Sequence, residues 1–226
     1  MTVRWLIVSD IHDNRQAWER LVAHLPTLAP DRLVCLGDVG RDPAILEDLR
    51  RREAICICGN WEVSGFRSLP APLAGWVSGW PLSYRHGSLL FCHASPDLPA
   101  EARDARAAAA LMAARGLHWS QLFPRLHRDE QARWQALAAM EALDLRVVFH
   151  GHTHIQEVWG WAGVRLQRIA GPSFRVETGS SHRPNRYLVG VGSLGAPLDG
   201  QEPRFVLYDE GTATVHLERL PWPNDG

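Results

Sequence analysis

Two imidazoles stand one residue apart in RVVFHGHTHI, residues 146–155, where a short apolar run breaks at Gly151 and delivers His152 and His154. On a loop leaving a strand, such a pair can bind one metal ion or two adjacent ones. Comparable groups follow four other apolar runs: Asp10 and His12 after residues 3–8, Asp38 after 33–36, Asn60 after 54–58 and His93 after 88–92. Asp10, His12, Asp38, Asn60, His93, His152 and His154 make seven oxygen and nitrogen donors, more than one metal needs and about what two need if a carboxylate bridges them. Asp38, directly after Gly37 at a strand end, fits the bridging role, and Asn60 adds a neutral oxygen. Two divalent ions against two carboxylates leave net positive charge, which attracts a phosphate group. Taken singly, Asp10 and Asn60 suit helix caps, Asp38 a turn and His93 a partly buried histidine. The recurrence of each behind an apolar run favours a shared site.

Parallel strands joined by helices would position such groups. Residues 3–8 form an apolar run apart from Arg4, as in a strand buried on both faces. Asn14 can cap a helix carrying Ala17, Trp18, Leu21, Val22 and Leu25 at helical spacing until Pro26 stops it. The unit repeats with a strand at 33–36, a helix at 43–51 and a strand at 54–58. Such sheets pair in parallel through right-handed crossovers and collect their chemistry beyond the carboxyl ends of the strands. Residues 64–81, rich in Gly, Pro, Ser and Trp, suggest a surface loop, and 82–85 and 88–92 a hairpin turning at His86-Gly87. Residues 99–143 carry helical patterns near 101–115 and 129–143, a helical layer or cap ahead of a strand at 147–149. Runs at 157–161, 164–169, 187–191, 205–208 and 214–217 suggest short strands of a second sheet, with 172–185 a polar insertion and the tail from Pro221 frayed. With no repeat and no linker, residues 1–226 are expected to form one domain.

The chain has 226 residues, 46% of them hydrophobic, enough for a sizeable core. Its 24 basic and 25 acidic residues leave a formal charge of −1, so no long-range field recruits long nucleic acid or an anionic membrane. The first apolar run is too short for a signal peptide or a membrane span, and a cytoplasmic protein is expected. Cys35, Cys56, Cys58 and Cys92 lie in apolar runs and suggest reduced core residues; Cys56-x-Cys58 lacks the second pair of a metal motif.

Asp-x-His (Asp10, His12), Gly-Asp (Gly37, Asp38), Gly-Asn (Gly59, Asn60), His93 after a strand and Gly-His-x-His (Gly151 to His154) resemble, in order, the signature of the calcineurin-like metallophosphoesterases. The segment GSLGAPLDG, residues 192–200, is similar to one in small bacterial members grouped with YfcE-like phosphodiesterases and diadenosine tetraphosphatase relatives. The resemblance implies an α/β fold of two packed mixed β-sheets flanked by helices, a four-layer sandwich. It implies two divalent ions, manganese first, with iron, cobalt, nickel or zinc also suited. One ion would take Asp10, His12, Asp38 and His154, the other Asp38, Asn60, His93 and His152. A hydroxide between them would attack phosphorus in line, with Asp38, Asn60 and His93 holding hydroxide and phosphate.

Many members carry a histidine after Gly-Asn that protonates the leaving oxygen; here Trp61 stands there, which cannot act as a general acid, and Glu62 has lost that partner. Leu198 and Gly190 replace an arginine and an asparagine common near the expected rim. The implied activity is phosphodiester hydrolysis on a small molecule or nucleotide. Phosphomonoesterase, protein phosphatase or dinucleoside polyphosphate hydrolase action is the alternative on the same site. A non-catalytic scaffold is the alternative of another class, which seven kept ligand positions argue against. The oligomeric state stays open. Arg41 could reach a phosphate or be a solvated turn residue; His118 and His127 suit surface roles, His150 a structural one, and the ten tryptophans core and rim packing.

Overall fold

The computed structural model describes residues 2–180 and 183–221. The chain opens β1 (Arg4–Val8), α1 (Arg15–Leu28), β2 (Arg32–Cys35), α2 (Pro43–Arg51) and β3 (Ile55–Cys56). The three strands pair in parallel in the order β3-β2-β1. The Asn14 side chain accepts the Ala17 N–H at 3.0 Å and caps α1. Pro26 does not end that helix, which runs on to Leu28. A proline removes one N–H from the last turn, and packing of Leu25 and Leu28 against the core offsets it.

The expected loop at 64–81 is largely helical. It comprises α3 (Asn60–Gly65), a 3-10 turn (Phe66–Ser68) and α4 (Ala71–Val77). Val63, Phe66, Leu69, Leu73 and Val77 recur every three or four residues and all enter the core, a period that the Gly and Pro content masks. The hairpin β4 (Ser83–His86) and β5 (Leu89–Cys92) pairs His86 with Leu89, so it turns at Gly87-Ser88, one residue later than expected. Between β5 and β6 (Val147–His150) lie α5 (Ala105–Arg115), α6 (Trp119–Leu122) and α7 (Glu130–Ala142).

The remaining strands are β7 (Gln156–Trp161), β8 (Leu166–Ile169), β9 (Ser173–Arg175), β10 (Gly179–Ser180), β11 (Arg183–Pro184), β12 (Arg186–Val191), β13 (Arg204–Asp209) and β14 (Thr214–Arg219). They do not make one second sheet, as their runs suggested. Strands β13 and β14 return to the first, antiparallel to β1, giving β3-β2-β1-β13-β14-β9. Strands β12, β7 and β8 complete the other, β4-β5-β6-β12-β7-β8. Part of the expected polar insertion is thus the edge strand β9, paired with β14, and β10 with β11 forms a short ribbon. Residues 181–182 of that insertion and the expected frayed tail from 222 onward lie outside the described residues.

The two mixed sheets face each other. Trp5, Ile7, Val34 and Leu36 point inward from one and Phe91, Val147, Phe149 and Val189 from the other, a continuous apolar layer. Period two sends the alternate residues outward: Leu6, Val8 and Cys35 against α1 and α2, and Leu90, Cys92, Val148 and Leu188 against Ala132, Ala136, Leu137 and Met140 of α7. The architecture is α/β, two packed mixed sheets flanked by helices. All four cysteines are free and buried, and burial pushes each thiol up, away from the thiolate. Among the described residues no helix is long and apolar enough to cross a membrane.

Candidate metal centre

The strand-end loops meet at one end of the sandwich. Asp10, His12, Asp38, His152 and His154 all have φ between +49° and +64°, the left-handed region. Short polar side chains such as Asp enter it more readily than others, yet each instance costs free energy and persists only where neighbours enforce it. The enforcement is visible. The Asp10 N–H donates to the Gly37 carbonyl at 2.9 Å, the His12 N–H to the Asp38 carbonyl at 3.1 Å and the Gly151 N–H to the His93 carbonyl at 2.9 Å, so each loop holds another. A Cβ on Gly59 would lie 2.2 Å from Asp38 Oδ1, which is why a glycine precedes Asn60.

The side chains form two adjoining groups, Asp10, His12 and His154, and Asp38, His93 and His152, each with donor atoms within 4.8 Å of one another. Asp38 spans both: Oδ2 lies 4.0 Å from His12 Nε2 and Oδ1 3.5 Å from His93 Nε2. Asn60 Oδ1 is 3.2 Å from His93 Nε2. The His93 Nδ1–H faces the Leu36 carbonyl at 2.9 Å and the His154 Nδ1–H the Ala196 carbonyl at 2.7 Å, which turns both Nε2 lone pairs toward the centre. The Nε2 atoms of His12 and His154 approach to 3.0 Å. Asp10 Oδ1 and His152 Nε2 are buried without a hydrogen-bond partner. Buried donor atoms aimed at one another and left unpaired are what a pair of divalent cations would satisfy, so the residues present fit such ions.

Charged groups at the centre bias one another. Burial alone would raise the Asp10 carboxyl, but the imidazoles of His12 and His154 hold it well below the usual carboxylate range. Burial likewise disfavours charge on His93, yet Asp38 outweighs it and raises that imidazole to about 9. His152, buried and beside His93, is pushed down to about 3 and stays neutral.

Glu62 shows what the sequence reading missed. It is not a residue without a partner: its carboxylate, 3% exposed, accepts the N–H groups of Asp38, Val39 and Gly59, each at 2.8 Å. One side chain thereby ties the loop after β2 to the loop after β3. Burial and the charge of Asp38 push its carboxyl up to about 7, and the three donors oppose them. Its signal was its place two residues after Asn60 at a helix start, where a carboxylate reaches back to free N–H groups.

A model of the calcineurin-like phosphoesterase superfamily domain matches residues 3–213. The chain belongs to the calcineurin-like phosphoesterase superfamily. Phosphoric ester hydrolysis at a dinuclear divalent metal centre is the chemistry of that superfamily, and the chain offers two candidate groups for it. A metallophosphoesterase of Sphaerobacter thermophilus is similar over 97% of this chain and 89% of its own, with 20% identity and a TM-score of 0.69. A candidate diadenosine tetraphosphatase is similar over 99% and 96%, with 16% identity and a TM-score of 0.51. A cold-active protein-tyrosine phosphatase of a psychrophilic Shewanella species is similar over 98% and 81%, with 13% identity and a TM-score of 0.51. At these identities the likenesses speak for the fold alone. No curated protein matches the chain.

Among residues that differ from the family pattern, Trp61 stays at the centre. It is 42% exposed, its ring meets His12 edge-on at 4.6 Å, and its backbone N–H donates to Asp38 Oδ1 at 2.9 Å. Leu198, exposed, donates its N–H to the His154 carbonyl and lies at the rim. Gly190 does not: it is buried in β12 opposite His150, where a Cβ would lie 2.9 Å from the Ile155 carbonyl, so no asparagine fits. His150 is buried outside both groups, and His118 caps α6 from the surface. His127 is half-buried with neither ring nitrogen paired, so it is not a plain surface residue. The Arg41 guanidinium lies beside Gly65 of α3. Two aromatics unnoticed in the sequence lean on the centre from the α6 region: Trp119 against His152 and Phe123 against His93, both at 5.5 Å.

Proposed function

We propose that the chain is a dinuclear metal-dependent phosphodiesterase acting on a small phosphodiester or nucleotide. The observation that carries this reading is the gathering of six donors in two adjoining groups, with Asn60 beside His93 and Asp38 reaching both groups. One ion would be held by Asp10, His12, Asp38 and His154 and the other by Asp38, Asn60, His93 and His152. The chemistry that such a pair supplies when bound is an acidified water nucleophile and positive charge against the phosphoryl oxygens. The chain's own part is positional. Asp38 fixes the spacing of the two groups, Asn60 and His93 would help hold the phosphoryl group, and the carbonyls of Leu36 and Ala196 keep two imidazoles in the required tautomer. We further propose that residues 1–226 work as one cytoplasmic domain, with manganese first among the suited ions and residues 99–143 as its cap.

Trp61 offers an indole N–H and no acid, so a leaving oxygen departs without a proton from that position. Diesters and good leaving groups are therefore favoured. Turnover of bis(p-nitrophenyl) phosphate is expected to exceed that of p-nitrophenyl phosphate across a panel of Mn, Fe, Co, Ni and Zn. A strong preference for the monoester would sink the reading.

Metal loading should also move a proton. In the metal-free fold His93 has its pKa raised from 6.5 to about 9, so its charged form stabilises fully below pH 6.5 and that contribution is lost as pH rises through 9. An ion needs the neutral ring. Calorimetric loading at pH 7.5 in buffers of different ionisation enthalpy should therefore show roughly one proton released, with affinity climbing toward pH 9. A proton count of zero would show that His93 is already neutral in the metal-free fold.

A further inference from the structure

Beside Asn60, α3 and the α5–α6 segment enclose a cavity of about 270 Å³. Val63, Ala109, Met112 and Phe123 line it with apolar surface, the Trp119 indole forms an aromatic wall and the exposed Arg67 adds a guanidinium. Asn60 belongs to this cavity and also lies 3.2 Å from His93 Nε2, while Phe123 and Trp119 touch the imidazoles of His93 and His152. The cavity thus borders the candidate metal centre, with Asn60, Trp119 and Phe123 common to both. The Arg125 guanidinium lies over the same indole, 5.8 Å from its centre, and it is close enough to depress His152.

We infer that this cavity is a subsite for a planar aromatic group carried on the phosphoester, a nucleobase or an aryl ring, held against Trp119 and Phe123. The inference deepens the phosphodiesterase reading and rests on it. Size restricts the occupant: ligand pockets usually run from about 300 to 1,000 Å³, so this one takes a single ring system with a short connection and has no room for a second nucleotide or a peptide. Shape and chemistry restrict it further. Trp119 and Phe123 recognise a ring by its face, and Asn60, Ser64 and Arg67 are the polar groups of the lining, so the subsite selects aromatic from alkyl esters. The aromatic walls, Trp119 and Phe123, come from residues between β5 and β6, which gives that helical segment a role in choosing substrates.

The test is equilibrium binding to the manganese-loaded protein, by calorimetry, of adenosine 5′-monophosphate, phenyl phosphate and methyl phosphate. Both aromatic esters are expected to bind on the order of tenfold more tightly than methyl phosphate, the ordinary worth of one stacked ring. Ala109→Trp, which fills the cavity, and Trp119→Ala, which removes its wall, should each bring that ratio close to one. Ala110→Trp, exposed on the same helix, should leave the ratio unchanged. A preference for phenyl phosphate alone supports the ring and names aryl esters as its source. Equal affinities in the unmodified protein, a preference for the nucleotide without phenyl phosphate, or a ratio that survives Ala109→Trp overturns the inference. Diester turnover on the same preparation separates the two readings: no turnover with the ratio intact removes the hydrolase and keeps the subsite, and turnover with a ratio of one does the reverse.

Discussion

Asp38→Asn is expected to lower diester turnover on the order of a thousandfold while leaving the fold intact. Asp38 is the side chain within 4.0 Å of imidazoles in both groups, so a neutral amide there removes the charge that would hold two cations side by side. The substitution suits its backbone. Asn accepts the left-handed φ of 52° and can still take the Trp61 N–H on its oxygen. Kinetics on bis(p-nitrophenyl) phosphate, elemental analysis of bound metal and a denaturation curve check the three parts. Activity within tenfold of the parent with full metal content would show that the two groups do not work through a shared carboxylate.

Glu62→Ala is expected to cost about 4 kcal/mol of stability without replacing a candidate ligand. Three backbone N–H groups lose their acceptor together, in a region where Glu62 is 3% exposed. The loops after β2 and β3 then part, so metal affinity should fall with stability. Glu62→Gln keeps one carbonyl oxygen where two oxygens now accept, and should fall between. Urea denaturation measures this; a loss under 1 kcal/mol for the alanine variant would mean that the loops are held by other contacts.

These effects sit where the sequence was most and least informative. Buried parallel strands are short apolar runs that must end abruptly, and a polar residue at such an end has few places to go. That made Asp10, Asp38 and His93 legible as strand-end groups through their recurrence, though not one by one. The sheet membership of β13 was not, because its partner β1 lies some two hundred residues away and alternation names a face without naming a neighbour. The helices α3 and α4 hid behind glycine and proline, although Val63, Phe66, Leu69, Leu73 and Val77 kept their period. Glu62 looked isolated because its partners are backbone N–H groups, which every residue but proline carries and no pattern marks. Trp119 and Phe123 reach the centre only through the path of the α5–α7 segment, which composition does not reveal.

The two candidate groups each draw on both halves of the sandwich. Asp10 and His12 follow β1 of the first sheet, and their companion His154 follows β6 of the second; Asp38 follows β2, and His93 and His152 follow β5 and β6. An ion seated in either group is therefore a rivet through the stack, and shear of one sheet over the other would pull its donors apart. Grip on the ion and the interlock of Ile7, Val34, Phe91 and Phe149 become one mechanical property. A side chain trimmed midway between the sheets, far from any donor, loosens the rivet as surely as one trimmed beside it.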